Sequence, residues 1–216
     1  MVLTLYGMDA SSPVRAVKMV INKLNIPDIE YIQINLLKGE HTYDSFLEMN
    51  PQHSIPTIKD GDFIIWDSHA ITAYLVSTYG EDDSLNPTEP KQRAIIDQRL
   101  HFDSGVLFPA LRQNVVPVLF GGQNSFDQKS LDQLSSAYEL ADKFLTHTWL
   151  AGDNLTLADI CCYATISTMN VLLPVDVEMY PNLAAWLQRC SEQDFAVNAN
   201  EKGLALFRDI IYSKLT

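Results

Sequence analysis

Over the first third of the chain, apolar positions switch repeatedly between strand and helix spacing. Val2–Tyr6 is a short apolar run that reads as a strand. Ser11-Ser12-Pro13 opens a helix, with Pro13 at or near the first helical position, where its missing N–H costs nothing. Val14, Val17, Val20, Ile21 and Leu24 then recur at helical spacing. Glu30–Leu36 alternates like a strand, and Thr42–Met49 reads as a short helix. Thr57–Lys59 and Phe63–Trp66 flank the Asp60-Gly61 turn and form a hairpin, and Ser68–Tyr79 is helical again. The order βαβαββα predicts a mixed sheet with helices on its faces.

The pattern changes at Gly80–Pro90, where Gly80, Pro87, Pro90 and an acidic run read as a linker. Beyond it no strand–turn–strand signal occurs. Helical spacing covers Lys91–Phe120, Asp127–Thr146, Leu157–Leu173, Pro181–Glu192 and Gly203–Leu215. Gly121-Gly122 and Pro174 end two of these helices. The expected organisation is an α/β domain over 1–80, a linker over 81–90 and an all-helical domain over 91–216. Thr156-Leu157-Ala158-Asp159 is a capping box with Asp in the usual Glu position, and Leu155 and Ile160 sit where a hydrophobic staple would.

Charge narrows the choice of partner. The chain carries 15 basic and 27 acidic residues, a formal net charge of −12. That balance disfavours nucleic acid and anionic membranes. An anionic ligand would need a locally basic pocket, for which Arg15, His41, His53 and Arg112 are the candidates. Cys161, Cys162 and Cys190 form neither a C-x-x-C pair nor a metal-ligand spacing, so no metal is expected. Their free thiols and the absence of a signal peptide point to a cytoplasmic protein.

Two strings carry the candidate chemistry: Asn50-Pro51-Gln52-His53-Ser54-Ile55-Pro56-Thr57 and Asp67-Ser68-His69-Ala70-Ile71. The first reads as a loop entering a strand through Ile55-Pro56. A fixed backbone at Ile55 offers an N–H and a C=O side by side, which an extended peptide needs. The second opens a helix with an acid and a hydroxyl. Asp67 suits an ammonium, and Ser68 with the helix-start N–H groups suits a carboxylate. Together they fit a small peptide with a free amino-acid end, of which glutathione is the obvious cellular example.

With the helical second half, the linker and the box at Thr156–Asp159, these strings resemble a cytosolic glutathione transferase along nearly the whole chain. Ser11-Ser12-Pro13-Val14-Arg15, Asn35-Leu36-Leu37-Lys38-Gly39-Glu40-His41 and His101-Phe102-Asp103-Ser104-Gly105-Val106-Leu107-Phe108 are similar to the insect delta/epsilon classes, epsilon in particular. The resemblance implies a thioredoxin-like α/β first domain, an all-α second domain and a homodimer, with His69 and His101 near its two-fold axis. It also implies a cis Pro56, and glutathione held as co-substrate by His41, His53, Ile55, Asp67 and Ser68, with Arg112 near its glycine end or the second substrate. The class usually has Glu where this chain has the shorter Asp67.

The implied chemistry is thiolate attack on a hydrophobic electrophile, in detoxification, with peroxidase activity as a second outlet; the alternative is a non-catalytic carrier of glutathione or apolar ligands. An unperturbed thiol ionises near pH ~8.5, and lowering that by two units requires about 2.7 kcal/mol of thiolate stabilisation. Ser11 is the expected catalytic donor to sulfur, aided by the N-terminus of the following helix. Tyr6 and Ser12 are its rivals, and Ser12 is read as the N-cap of that helix. Arg15 either faces the site or forms a structural ion pair that orients the helix. The second substrate is expected among Met8, Ala10, Phe108, Leu111, Val115, Leu119, Phe120 and Phe207, with Arg112 beside them. Phe108, Leu111, Arg112, Val115 and Leu119 share one helical face.

Overall fold

A computed structural model describes residues 2–215. β1 (Leu3–Gly7), α1 (Ser12–Lys23), β2 (Ile29–Gln33), α2 (Asp44–Leu47), β3 (Thr57–Asp60), β4 (Phe63–Trp66) and α3 (Ser68–Tyr79) follow in the expected order. The sheet runs β2-β1-β3-β4, with β1 and β2 parallel and the other neighbours antiparallel. Leu3, Leu5 and Ile58 point from it into the core and are almost wholly buried. Each contributes roughly 1.5–3 kcal/mol of hydrophobic stabilisation.

The register explains where a site can form. Tyr6 pairs with Thr57, Thr57 pairs with Trp66, and Gly7 pairs with Gln33. The segments leaving β1, β2 and β4, and the one entering β3, therefore meet at one end of the sheet. They lead to Ser11, His41, Asp67 and Ile55.

The helical half comprises α4 (Pro90–Phe102), α5 (Phe108–Leu119), α6 (Gln128–Phe144), α7 (Leu157–Leu172), α8 (Pro181–Ser191), α9 (Asp194–Ala199) and α10 (Glu201–Tyr212). Every residue of α7 except Asn170 is buried. α1, α4, α5, α8 and α10 all pack against it. The carboxylate of Asp159, fully buried, accepts from Leu150 N–H (2.8 Å), Thr156 N–H (2.9 Å), the Thr156 hydroxyl (3.1 Å) and Trp186 Nε1 (2.9 Å). Burial still raises its pKa, and the four donors act in the opposite direction. The expected cap is thus also the junction of α7, α8 and the loop before them.

Several expected boundaries differ. The strand expected to reach Leu36 stops at Gln33, because Ile34 to His41 coil through two short 3-10 turns. The helix expected over Thr42–Met49 is only α2. The single helix expected over Lys91–Phe120 is interrupted by a π-helical turn at Asp103–Leu107, which contains Gly105. α9 was not expected at all; it is one and a half turns long, too short to show a period. The N-cap of α1 is Ser11, with Ser12 inside the helix and buried, so the capping position lies one residue earlier than expected.

Candidate functional site

Ser11 stands where β1 turns into α1. Its N–H bonds to the Met8 carbonyl (2.9 Å) and its carbonyl accepts from Arg15 N–H (3.0 Å), which fixes the turn. Its hydroxyl makes no capping bond to the helix. Pro13 in the first turn has no N–H, and no backbone carbonyl takes those of Ser12 and Val14. The result is a free hydroxyl beside a helix N-terminus, a setting that favours negative charge.

The loop carrying Ile55 is organised by Asn50, which is fully buried. Its amide nitrogen donates to the Ser54 carbonyl (2.9 Å) and the Thr57 hydroxyl (2.9 Å), and its oxygen accepts from Gln52 N–H (2.9 Å). His53 takes a left-handed conformation, φ 45°, within this bend. The Ile55-Pro56 bond is cis. Neither the N–H nor the C=O of Ile55 is engaged by other backbone. Among the described residues, both are without a backbone partner.

Asp67 also has positive φ, 75°, and one carboxylate oxygen accepts from His69 N–H (3.0 Å) and Ala70 N–H (3.1 Å). It therefore caps α3. The residue is exposed. The neighbouring Trp66 donates its indole N–H to Gln52 (2.9 Å), which ties the start of α3 to the Asn50 loop.

A cleft of about 410 Å³ opens at this end of the sheet. One wall holds Ser11, His41, His53 and Ile55. The other holds Phe108, Leu111, Arg112, Val115, Leu119 and Phe120 from α5 and its end, with Phe207 from α10. Met8 and Ala10 lie between. Pro56, Asp67 and Ser68 stay outside this lining. Tyr6 is turned away, its ring edge-on to Phe46 at 6.3 Å. His41 and His53 lie 6.0 Å apart between ring centres. Burial, and then the charge of His53, lower the His41 pKa.

The cleft also exposes residues that the sequence reading missed: Leu36, Leu37, Gln52, Ser54, Val116, Thr168 and Ile210. Val116 lies one turn beyond Arg112, and Ile210 lies one turn beyond Phe207, so helical spacing carried a signal for both. Thr168 carried none, since its place depends on how α7 packs against α1. Arg15 is not in this cleft and forms no ion pair among the described residues. Its Nη2 donates to the Ala164 carbonyl (3.3 Å) and to the Thr168 hydroxyl. It joins α1 to α7 through neutral oxygens.

An uncapped serine hydroxyl at a helix start, an unpaired backbone at Ile55 and an apolar opposite wall meet at the sheet end of an α/β–α protein. Residues 5–84 match the family model for the glutathione S-transferase N-terminal domain, and residues 96–194 match that for the C-terminal domain. Glutathione S-transferase 1 of Manduca sexta is 57% identical across the full length of both chains. Among solved structures, an epsilon-class glutathione S-transferase from the housefly Musca domestica superimposes with a TM-score of 0.95 at 40% identity, covering 99% of each chain. A glutathione transferase homolog from Drosophila mojavensis, solved with bound glutathione, also gives 0.95 at 40% identity, covering 99% of this chain and 97% of that one. This chain belongs to the glutathione S-transferase family, in its insect delta/epsilon branch.

Proposed function

We propose that the chain conjugates glutathione through its sulfur to hydrophobic electrophiles, with Ser11 as the thiolate-stabilising donor. The observation that carries this reading is the Ser11 hydroxyl. It makes no capping bond to the helix and stands between the peptide-binding loops and the apolar wall. The glutathione sulfur placed there receives a hydrogen bond and the field of the α1 N-terminus. The thiolate then attacks the electrophile, and the leaving group departs with the displaced electron pair.

In this reading Ile55 pairs with the cysteinyl backbone of glutathione. His41 and His53 attract its glycine carboxylate, with Arg112 nearby. Ser68, through its hydroxyl and its own N–H, holds the γ-glutamyl carboxylate, and the exposed carboxylate of Asp67 takes the ammonium. Pro56 sets the bend beside them. The reading extends to a cytoplasmic homodimer with a glutathione-binding domain over 1–80, a linker over 81–90 and a helical domain over 91–216 carrying the hydrophobic site. Phe63, 46% exposed with its ring 4.9 Å from that of Tyr74, supports a covered face on the sheet side. No helix among the described residues is long and apolar enough to cross a membrane.

The test is conjugation of a generic aryl halide by the native chain and by Ser11→Ala. The mutant should lose more than about tenfold in turnover, as when an oxyanion donor is removed. The pKa of its bound glutathione should rise. A native chain that binds glutathione without turning over any electrophile would make it a carrier. Unchanged turnover in the mutant would move the donor role to backbone N–H groups.

A further inference from the structure

We propose that the cleft between α1 and the junction of α9 with α10 is a second binding site, for the phosphate or carboxylate group of a small molecule. Its volume is about 450 Å³, and its lining shares no residue with the glutathione cleft. Three cations, Arg15, Lys18 and Lys202, meet there with one carboxylate, Asp9. That is a local excess of positive charge in a chain of net charge −12.

Arg15 is the central observation. It is 0% exposed, and only Nη2 has protein acceptors. Its Nε and Nη1 are buried with no hydrogen-bond partner among the described residues. A guanidinium in that position has lost water and gained nothing on those hydrogens. Burial depresses the Arg15 pKa to about 9, against the opposing influence of Tyr163 and Asp9. An oxyanion in the cleft would supply the missing acceptor and the missing charge.

Arg15 lies just beneath the floor of the cleft, so a ligand oxygen reaches Nε or Nη1 as the start of α10 shifts outward. Gly203 lies on the cleft, and a Cβ there would stand 2.6 Å from Arg15 Cδ and 2.3 Å from the Asp9 carbonyl. The bare α-carbon lets α10 close onto Arg15 without filling the space next to Nε. Lys18 is held in place by Asp9 and by the Tyr31 ring, 3.7 Å below its ammonium. Lys202, exposed on the first turn of α10, is the cation with freedom to close over a ligand. Asn25 and Asn198 offer amide donors on the two lips.

The experiment is calorimetric titration of the full chain with inorganic phosphate and, separately, with citrate, at constant ionic strength. Both titrations are repeated after S-hexylglutathione has filled the first cleft. One saturable event per chain is expected for at least one of the two anions, unchanged by S-hexylglutathione. The better of the two names the oxyanion class. Lys202→Glu should weaken it by about tenfold or more, the scale of one lost charge-assisted hydrogen bond. Asn198→Asp, in α9 on the same lip, should also weaken it. Both positions are exposed, so neither variant disturbs the core. The proposal is overturned if neither anion saturates, if both variants bind as the native chain does, or if S-hexylglutathione displaces the anion and so assigns it to the first cleft.

Discussion

The buried amide of Asn50 donates to the hydroxyl of Thr57 at 2.9 Å, and Thr57 in turn donates to the Ser54 carbonyl at 3.0 Å. Ile55 is thus held from both sides through Asn50 and Thr57, neither of which lines the cleft. Asn50→Ala removes the grip, leaves Gln52 N–H without its partner and leaves the Ser54 carbonyl with Thr57 alone. The expected result is a rise of about tenfold in KM for glutathione with a smaller change in kcat, since Ser11 is untouched. The accompanying stability loss is about 1–3 kcal/mol. Steady-state kinetics and a urea titration check both; an unchanged KM would sink the idea.

Asp159 is a larger stake. Truncating it to alanine orphans the buried N–H groups of Leu150 and Trp186 together and unties α7 from α8. The expected cost is about 3 kcal/mol or more. Thr156→Ala removes only the hydroxyl contact and should cost roughly 0.5–2 kcal/mol. Equal losses for the two variants would show that the carboxylate is not the organising group.

A pH dependence follows from His69, whose ring Nε2 lies 2.9 Å from a carboxylate oxygen of the buried Asp103. Burial alone would lower the imidazole pKa. The hydrogen bond and charge of Asp103, helped by Asp67, outweigh it and hold the value above normal. A raised folded-state pKa means the contribution is fully present below the ordinary histidine value and is lost as pH rises through the folded one. The stability gap between the native chain and His69→Gln should therefore shrink as pH rises through that window. Denaturant midpoints across it give the check, and a pH-independent gap would refute it.

Electrophile choice should be tunable from α5. Val116 and Phe120 line the cleft yet are 36% and 55% exposed. Val116→Phe should change the ranking of bulky against small electrophiles while leaving KM for glutathione within about twofold. Surface substitutions of this kind usually alter stability by no more than about 0.5 kcal/mol. A parallel loss with every electrophile would instead mean a distorted cleft.

Much of this arrangement was legible in the chain. The hairpin around Asp60-Gly61, the helix at Pro13 and the run from Leu157 each rest on local rules of turn, cap and period, which do not depend on distant residues. The apolar face of α5 was legible for the same reason. What escaped had causes that lie between elements. The π turn at Asp103–Leu107 leaves the helical spacing on both sides intact. Arg15 reads either as a cation of the site or as half of an ion pair that orients α1, and only the packing of α1 on α7 turns it towards Thr168. Asn50 reads as a loop residue, and its importance appears only when Ser54 and Thr57 fold back onto it.

The burial of α7 has a consequence in time as well as in space. Its backbone amides open to solvent only when the neighbours on every side have separated, so they should be the last to exchange with deuterium. α10, which is exposed along one side and touches α7 with the other, can fray on its own. Both clefts draw a wall from α10, through Phe207 and Ile210 on one side and Lys202 and Gly203 on the other. The two mouths can therefore loosen and reseal many times within the lifetime of a single folded molecule.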